Sequence, residues 1–282
     1  MLAITSLTLR EAARRRVLAA ALAIAVVLVA LTGWGFWKMH ASLATQARDP
    51  ALAAGIFSGL VIMLAYMFSF ALAIGSAFLA APALASDVDS GLLLAILPRP
   101  VRRVDVVLGK WLGLALLVVA FTFVVGGAEL AVIRAIAGYV PPHPLTALAF
   151  LAAESLMMLT LALFFSTRLP PIAGGIVAIA LFGLAWIAGI AVTIASTLGN
   201  AALVHAGTIV ALILPSDGLW RGALAALEPA VFVASAATSE GARQLGPFAV
   251  AGPPVPAFLA WSALWGIAVL GAAVASFGRR DM

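Results

Sequence analysis

The sequence predicts an all-α, polytopic membrane protein, and three observations carry that reading. The chain of 282 residues is 65% hydrophobic and only 10% charged, against roughly 25% charged in an average soluble domain. The apolar residues fall in runs of spanning length separated by short polar breaks, as a bilayer requires when lipid offers no partner to an exposed peptide group. The cations gather in some of those breaks and avoid others. A mean hydropathy of +1.18 excludes a water-soluble globule and a disordered chain. The pI near 10.7 reflects cations placed between apolar runs, so nucleic acid is not an expected partner; the lipid bilayer is. The chain contains no cysteine, which removes disulfides, thiolate metal sites and cysteine nucleophiles.

Cutting the chain at its polar breaks gives six spans: Val17 to Trp37, Ala51 to Ala81, Val104 to Ile133, Leu145 to Phe165, Ile172 to Ser196 and Ala257 to Phe277. No composition shift divides them, so residues 1–282 read as one transmembrane domain. The first span follows Arg14, Arg15 and Arg16 and imitates a secretory signal. It is longer than the roughly 7–15 apolar residues of a signal and ends in Trp34 and Trp37, which suit an interfacial belt, so it reads as an uncleaved span. Upstream, Ile4, Leu7, Leu9, Ala12 and Ala13 set against Arg10, Glu11 and Arg14 read as a short amphipathic surface helix, with a merely basic flank as the alternative. Asp49-Pro50 is a start signal for the second span. The apolar run that follows exceeds the roughly 30 Å hydrocarbon core and should tilt or project from it.

A six-span path puts Arg10, Arg14, Arg15, Arg16, Arg99, Arg102, Arg103, Lys110, Arg168, Arg279 and Arg280 on one side and Lys38, Arg48, Arg134, Arg221 and Arg243 on the other. The richer side is cytoplasmic by the positive-inside rule, so both termini are expected there. On the other side, residues 197–256 form a long loop with two apolar pieces. Ala201 to Leu214 ends at Pro215, and Leu219 to Ala237 is interrupted by Arg221, Glu228 and Pro229. Each is short or charged, so surface-lying or re-entrant helices are expected rather than a seventh and eighth span.

The segment Ser86 to Leu97 reads as a separate short helix. Ser86, Asp87 and Asp89 cap or neutralise its positive end, Leu92, Leu93, Leu94, Ile96 and Leu97 give it apolar surface, and Pro98 and Pro100 stop it. An apolar patch rimmed by Arg99, Arg102 and Arg103 suits docking to a partner or packing on the ends of its own bundle.

The pattern Asp87-x-Asp89-Ser90-Gly91-Leu92-Leu93-Leu94, with Pro98-Arg99-Pro100-Val101-x-Arg103 and Gly109-Lys110, resembles the intracellular loop of the type-2 class of bacterial ABC exporter permeases. Leu214-Pro215-Ser216-Asp217-Gly218-Leu219-Trp220-Arg221 and the ending Phe277-x-Arg279-Arg280-Asp281 agree, and the likeness is greatest to the branch containing the permease for nitrous-oxide reductase maturation. The resemblance implies a six-span subunit of the bacterial inner membrane that forms a homodimer, pairs with a cytoplasmic ABC ATPase and exports its substrate, with room for a periplasmic accessory protein. Ile4 to Arg16 would be its elbow helix and Ser86 to Leu97 its coupling helix, with Asp87, Asp89, Gly91, Leu93, Leu94, Leu97, Arg99 and Arg103 facing the ATPase. No phosphate-binding glycine loop precedes Gly109-Lys110, so ATP and Mg would sit on the partner, with no cofactor and no catalytic residue on this chain.

Glu129 and Glu154 lie inside predicted spans, where an acidic side chain costs about 3 kcal/mol. Each is a candidate for the transport pathway, and each has a helix-to-helix hydrogen bond as its alternative. His40, His143 and His205 fall in different loops without ligand spacing, and Met63, Met67, Met157 and Met158 read as apolar packing, so no metal site is expected. Gly126-Gly127 and Gly174-Gly175 read as close helix contacts. A self-contained secondary transporter or channel using Glu154 is the rival reading. It calls for inverted repeats with broken helices and several intramembrane polar groups, whereas the sequence offers one central carboxylate and no convincing half-to-half repeat.

Overall fold

The computed structural model describes residues 1–14, 16–46, 50–89, 102–236, 238, 246–248, 250 and 252–279. Among them every regular element is helical: α1 Leu2–Arg14, α2 Arg16–Gln46, α3 Pro50–Ala80, α4 Pro82–Asp89, α5 Arg103–Ala137, α6 Pro144–Ser166, α7 Pro171–Thr197, α8 Ala201–Ile213, α9 Ser216–Leu227, α10 Ala230–Ala236 and α11 Pro256–Gly278, with a 3-10 turn at Gly246–Phe248. Six helices are long and apolar enough to cross a membrane: α2, α3 continued through α4, α5, α6, α7 and α11. The protein is therefore a multi-span helical membrane protein with the six spans read from the sequence.

The helices outrun the apolar windows because backbone hydrogen bonding continues past the hydrocarbon edge. α5 has 35 residues, about 52 Å at 1.5 Å per residue. It carries Asp105 and Lys110 at one end and Arg134 at the other, and stops where Gly138 takes φ 66° and donates its N–H to the Arg134 carbonyl. That left-handed conformation is available to glycine without Cβ strain.

α6 is the hub. About two-thirds of its apolar window is buried, against 11 to 33% for the other spans, and it packs on α3, α5, α7, α9 and α11. Two apolar cores surround it. One joins Ala77, Leu84, Val107, Met158, Leu163, Phe182 and Phe277; the other joins Phe36, Phe57, Val61, Ile133, Leu148, Trp220 and Leu224. Gly126 lets α5 and α6 approach, since a Cβ there would lie 2.5 Å from Leu148.

Both termini of the described chain reach the same end of the bundle, here the basic end. There Arg103 Nη1 donates to the Gly278 carbonyl at 2.9 Å and Arg168 Nε to Ser276 Oγ at 2.9 Å. Lys110 Nζ donates to the Ala83 carbonyl, and the N-terminal ammonium lies 3.8 Å from Asp105. The two arginines thus serve carbonyls that the end of α11 leaves unpaired.

One expectation changes. Ser86 does not cap a new helix: α4 begins at Pro82, directly after the turn at Ala81, so Ser86, Asp87 and Asp89 lie within a continuation of the second span. Leu84 and Ala85 are buried, and α4 packs on α6 and α7, so burial rather than a cap sets where this helix starts. The rest of the proposed coupling segment, including Gly91, Leu93, Leu94, Leu97 and Arg99, lies outside the described residues, as does Asp49. The stretch before Arg16 is more than a basic flank, because α1 is a helix laid across the first turns of α5. Gly109 and Gly113, four residues apart, provide the groove: a Cβ on them would lie 2.8 Å from Ile4 Cβ and 2.9 Å from Thr8 Cβ. Small residues at this spacing let helix backbones approach where lipid gives no hydrophobic drive.

Gly113→Leu should lift α1 off α5. Thr8→Cys, in a chain otherwise free of cysteine, should then react several-fold faster with maleimide in detergent than in the glycine background, since Thr8 is buried in the intact contact.

Candidate functional site

The long loop between the last two spans folds back into the bundle. α7 and α8 form a hairpin through a tight turn at Leu198–Asn200, where Gly199 has φ 68° and Asn200 Oδ1 accepts from the Leu203 N–H at 3.2 Å. α8 returns along α7, with Gly207 against Val192 and the Ala188 carbonyl. It stops at Leu214-Pro215, and α9 leaves at 98° to it. α9 ends at the level of the α6 start, where the His143 N–H donates to the Ala226 carbonyl at 3.0 Å. The α8–α9 pair thus enters and leaves on one side of the bundle and is re-entrant rather than a seventh span.

The break leaves helix-terminal groups deep in apolar surroundings, and the structure supplies partners. Trp261 Nε1 donates to the Leu212 carbonyl at 2.9 Å and Trp265 Nε1 to the Ile213 carbonyl at 2.7 Å, so α11 caps α8. On the α9 side, Arg221 Nε donates to Asp217 Oδ2 at 2.7 Å and Arg221 Nη2 to the Gly189 carbonyl of α7 at 2.8 Å. A Cβ on Gly189 would meet Asp217 at about 2.2 Å, so α7 has room for the carboxylate only where it carries no side chain.

Glu154 belongs to the same layer. It is 1% exposed, accepts a 2.8 Å hydrogen bond from Ser69 Oγ of α3 and lies within electrostatic range of Asp217. Counting about 1.5 Å per residue, Glu154 is about 16 Å along α6 from His143 and Asp217 about 15 Å along α9 from Leu227, so both reach one depth. Aromatic rings wall this layer: Tyr66 packs on Phe70, Trp186, Trp220 and Phe248 with centroids 4.9 to 6.0 Å apart. Sequence reasoning singled out Glu154 and missed its company. Asp217 and Arg221 stand at i,i+4, the spacing of a helical ion pair, but were read as part of a loop. Ser69 is 85 residues from Glu154, beyond any local pattern.

Glu129 lies elsewhere. It accepts a 3.4 Å hydrogen bond from Thr32 Oγ1 of α2 and lines a cavity of about 530 Å³ between α2, α3 and α5. A second cavity, about 610 Å³, opens between α6, α9 and α11. Glu154 lines neither. Arg103, implied to face an ATPase, is bound to the α11 terminus; Asp87 and Asp89 lie on α4. His40 stacks on Phe57, His143 precedes α6 and His205 lies on α8. The chain matches no protein-family profile and no curated protein sequence, so function rests on this geometry and on the sequence pattern.

Removing one partner of a buried pair strands the other. Arg221→Ala should lower the unfolding free energy by about 3–5 kcal/mol, read by thermal denaturation in detergent, whereas Asp217→Asn combined with Arg221→Gln should cost less. Glu228, just beyond α9, is 3% exposed with Oε2 unpartnered, and burial pushes its pKa from 4.5 up to about 7. A raised carboxyl pKa penalises the fold once the unfolded group ionises, so stability is highest below pH 4.5 and falls until about pH 7. Glu228→Gln should therefore flatten the decline in melting temperature between pH 5 and pH 8 and raise stability at pH 8, an effect on the order of 2 kcal/mol.

Proposed function

We propose that this chain is the membrane-spanning permease subunit of an ATP-driven ABC exporter of the bacterial inner membrane, working as a homodimer with a separate cytoplasmic ATPase. The general reading, a multi-span helical membrane protein suited to transport, stands on the spans themselves. The finer reading is supported by the loop resemblance and by one structural observation: both flanks of residues 90–101 are tied into the bundle. On one side α4 is buried against α6 and α7 and its Ala83 carbonyl accepts from Lys110. On the other, Arg103 at the start of α5 holds the end of α11.

A force applied to that segment would therefore reach α6, the hub that carries Glu154, through packed and hydrogen-bonded contacts. In this reading the basic end is cytoplasmic, α1 is the elbow helix, and nucleotide-dependent closure of the ATPase pair rocks α3–α4 and α5 between two access states.

A second reading gains weight from the re-entrant pair. A self-contained secondary transporter calls for inverted repeats, a broken helix and several intramembrane polar groups; α8–α9 with Asp217, Arg221, Glu154 and Ser69 supplies the last two, while the sequence offers no half-to-half repeat. The two readings part on the energy source. Leu93→Asp with Leu97→Asp should abolish co-purification of an ATPase and ATP-dependent transport in vesicles while the permease remains folded. Transport that survives the double substitution and follows an ion gradient instead would favour the self-contained transporter.

A further inference from the structure

α2 and α3 follow one another in the chain yet do not pack along their length. They meet at the end remote from the termini, where Phe36 stacks on Phe57 with centroids 5.9 Å apart. α2 also leans on α5, where Gly33 faces Val132 and Thr32 meets Glu129, and at the basic end it touches α1. The resulting wedge is the cavity of about 530 Å³, within the roughly 300–1,000 Å³ typical of small-molecule sites.

Its walls are apolar from Ala21, Leu79 and Pro82 near the open end to Phe68 and Phe121 further in, and its single ionisable lining residue is Glu129, toward the narrow end. Among the described residues no lysine, arginine or histidine forms an ion pair with Glu129; its hydrogen-bond partner is the Thr32 hydroxyl. From Leu117 to Glu129 the wedge runs along α5 for about 18 Å. A carboxylate facing an apolar cavity at this depth is costly unless a cation joins it or it is protonated, and the shape of the space states what else that cation carries.

We infer that the wedge between α2, α3 and α5 binds a single-chain amphiphilic cation, its ammonium against Glu129 and its alkyl tail along α3 and α5. The ionised carboxylate selects for net positive charge: a neutral chain leaves it unmatched, and a zwitterionic lipid brings a phosphate toward it. The site is distinct from the Glu154–Asp217–Arg221 layer. The inference deepens the transport reading by naming a substrate class, and rests on that reading only for the step from binding to transport.

The full-length protein in nanodiscs, without ATPase or nucleotide, should bind radiolabelled dodecyltrimethylammonium saturably above empty discs. Glu129→Gln should weaken binding about tenfold or more, as loss of a desolvated charge partner does, while Glu129→Asp should retain most of it. Gly75→Leu is an independent variant. A Cβ at Gly75 meets nothing within 4 Å, so the larger side chain fills the wedge without displacing a neighbour and should also reduce binding.

Unchanged binding in both Glu129→Gln and Gly75→Leu would overturn the site. Competition by dodecanol or lysophosphatidylcholine as effective as that by the unlabelled cation would overturn the cation requirement. Saturable, Glu129-dependent binding supports the site even if transport proves independent of ATP, which would remove the exporter reading alone. ATP-driven transport of another compound, with no saturable alkylammonium binding, would remove this inference alone.

Discussion

Hydrocarbon tolerates no unpaired peptide group, and the architecture follows from how the chain meets that constraint where α8 breaks. A helix that stops part-way along the flank of the bundle, within the apolar layer, leaves carbonyls with no water to receive them. Here the indoles of Trp261 and Trp265 serve the carbonyls of Leu212 and Ile213, and Arg221 serves Gly189 while neutralising Asp217. Remove those donors and the break between α8 and α9 is left with unpaired carbonyls. The same pair provides the wall that α9 gives to α6 and the polar layer that Asp217 forms with Glu154.

The same economy of donors organises the opposite end. Arg103 and Arg168 turn their guanidinium groups to backbone or hydroxyl oxygens at the end of α11, and Lys110 turns inward to Ala83. The positive charge gathered at this end thus also closes the end of α11. Between the two ends, α6 binds α3, α5, α7, α9 and α11 into one unit, whereas α2 touches that unit mainly through α5. The two carboxylates inherit different surroundings from this arrangement. Glu154 is sealed within the hub, and Glu129 faces the gap that α2 leaves.

What the sequence made legible tracks the range of the interaction responsible. The spans were readable because about 20 apolar residues in a row have one stable solution in lipid. Their ends were less so, since α2 continues to Gln46 and α5 to Ala137 by backbone bonding alone. α4 was misread as a helix opening at Ser86 because capping residues signal a start only where the preceding turn has unwound. Ala81 to Ala85 stays packed in the core and the helix restarts at Pro82. Glu154 was visible as a charge in an apolar run, but Ser69 and Asp217 reach it only through tertiary packing. Arg221 and Asp217 stand in view at helical spacing, but their charges leave surface-lying and re-entrant helices equally open, and it is mutual neutralisation that permits burial. The wedge beside Glu129 has no sequence signature, since it arises from the splay of two neighbours.

α11 illustrates a further property of the arrangement. Only 11% of its apolar window is buried, yet it is fastened by two arginines at its foot and two tryptophans on its upper half, with the cavity of about 610 Å³ beside it. Directional polar bonds fix its position, while the dispersion contacts that would stiffen its flank are sparse. Such a helix is anchored at its foot and along its upper half rather than along its whole flank, so the side wall of the protein beside the cavity is held by a few directional bonds and by the Ala273 and Phe277 contacts at its base.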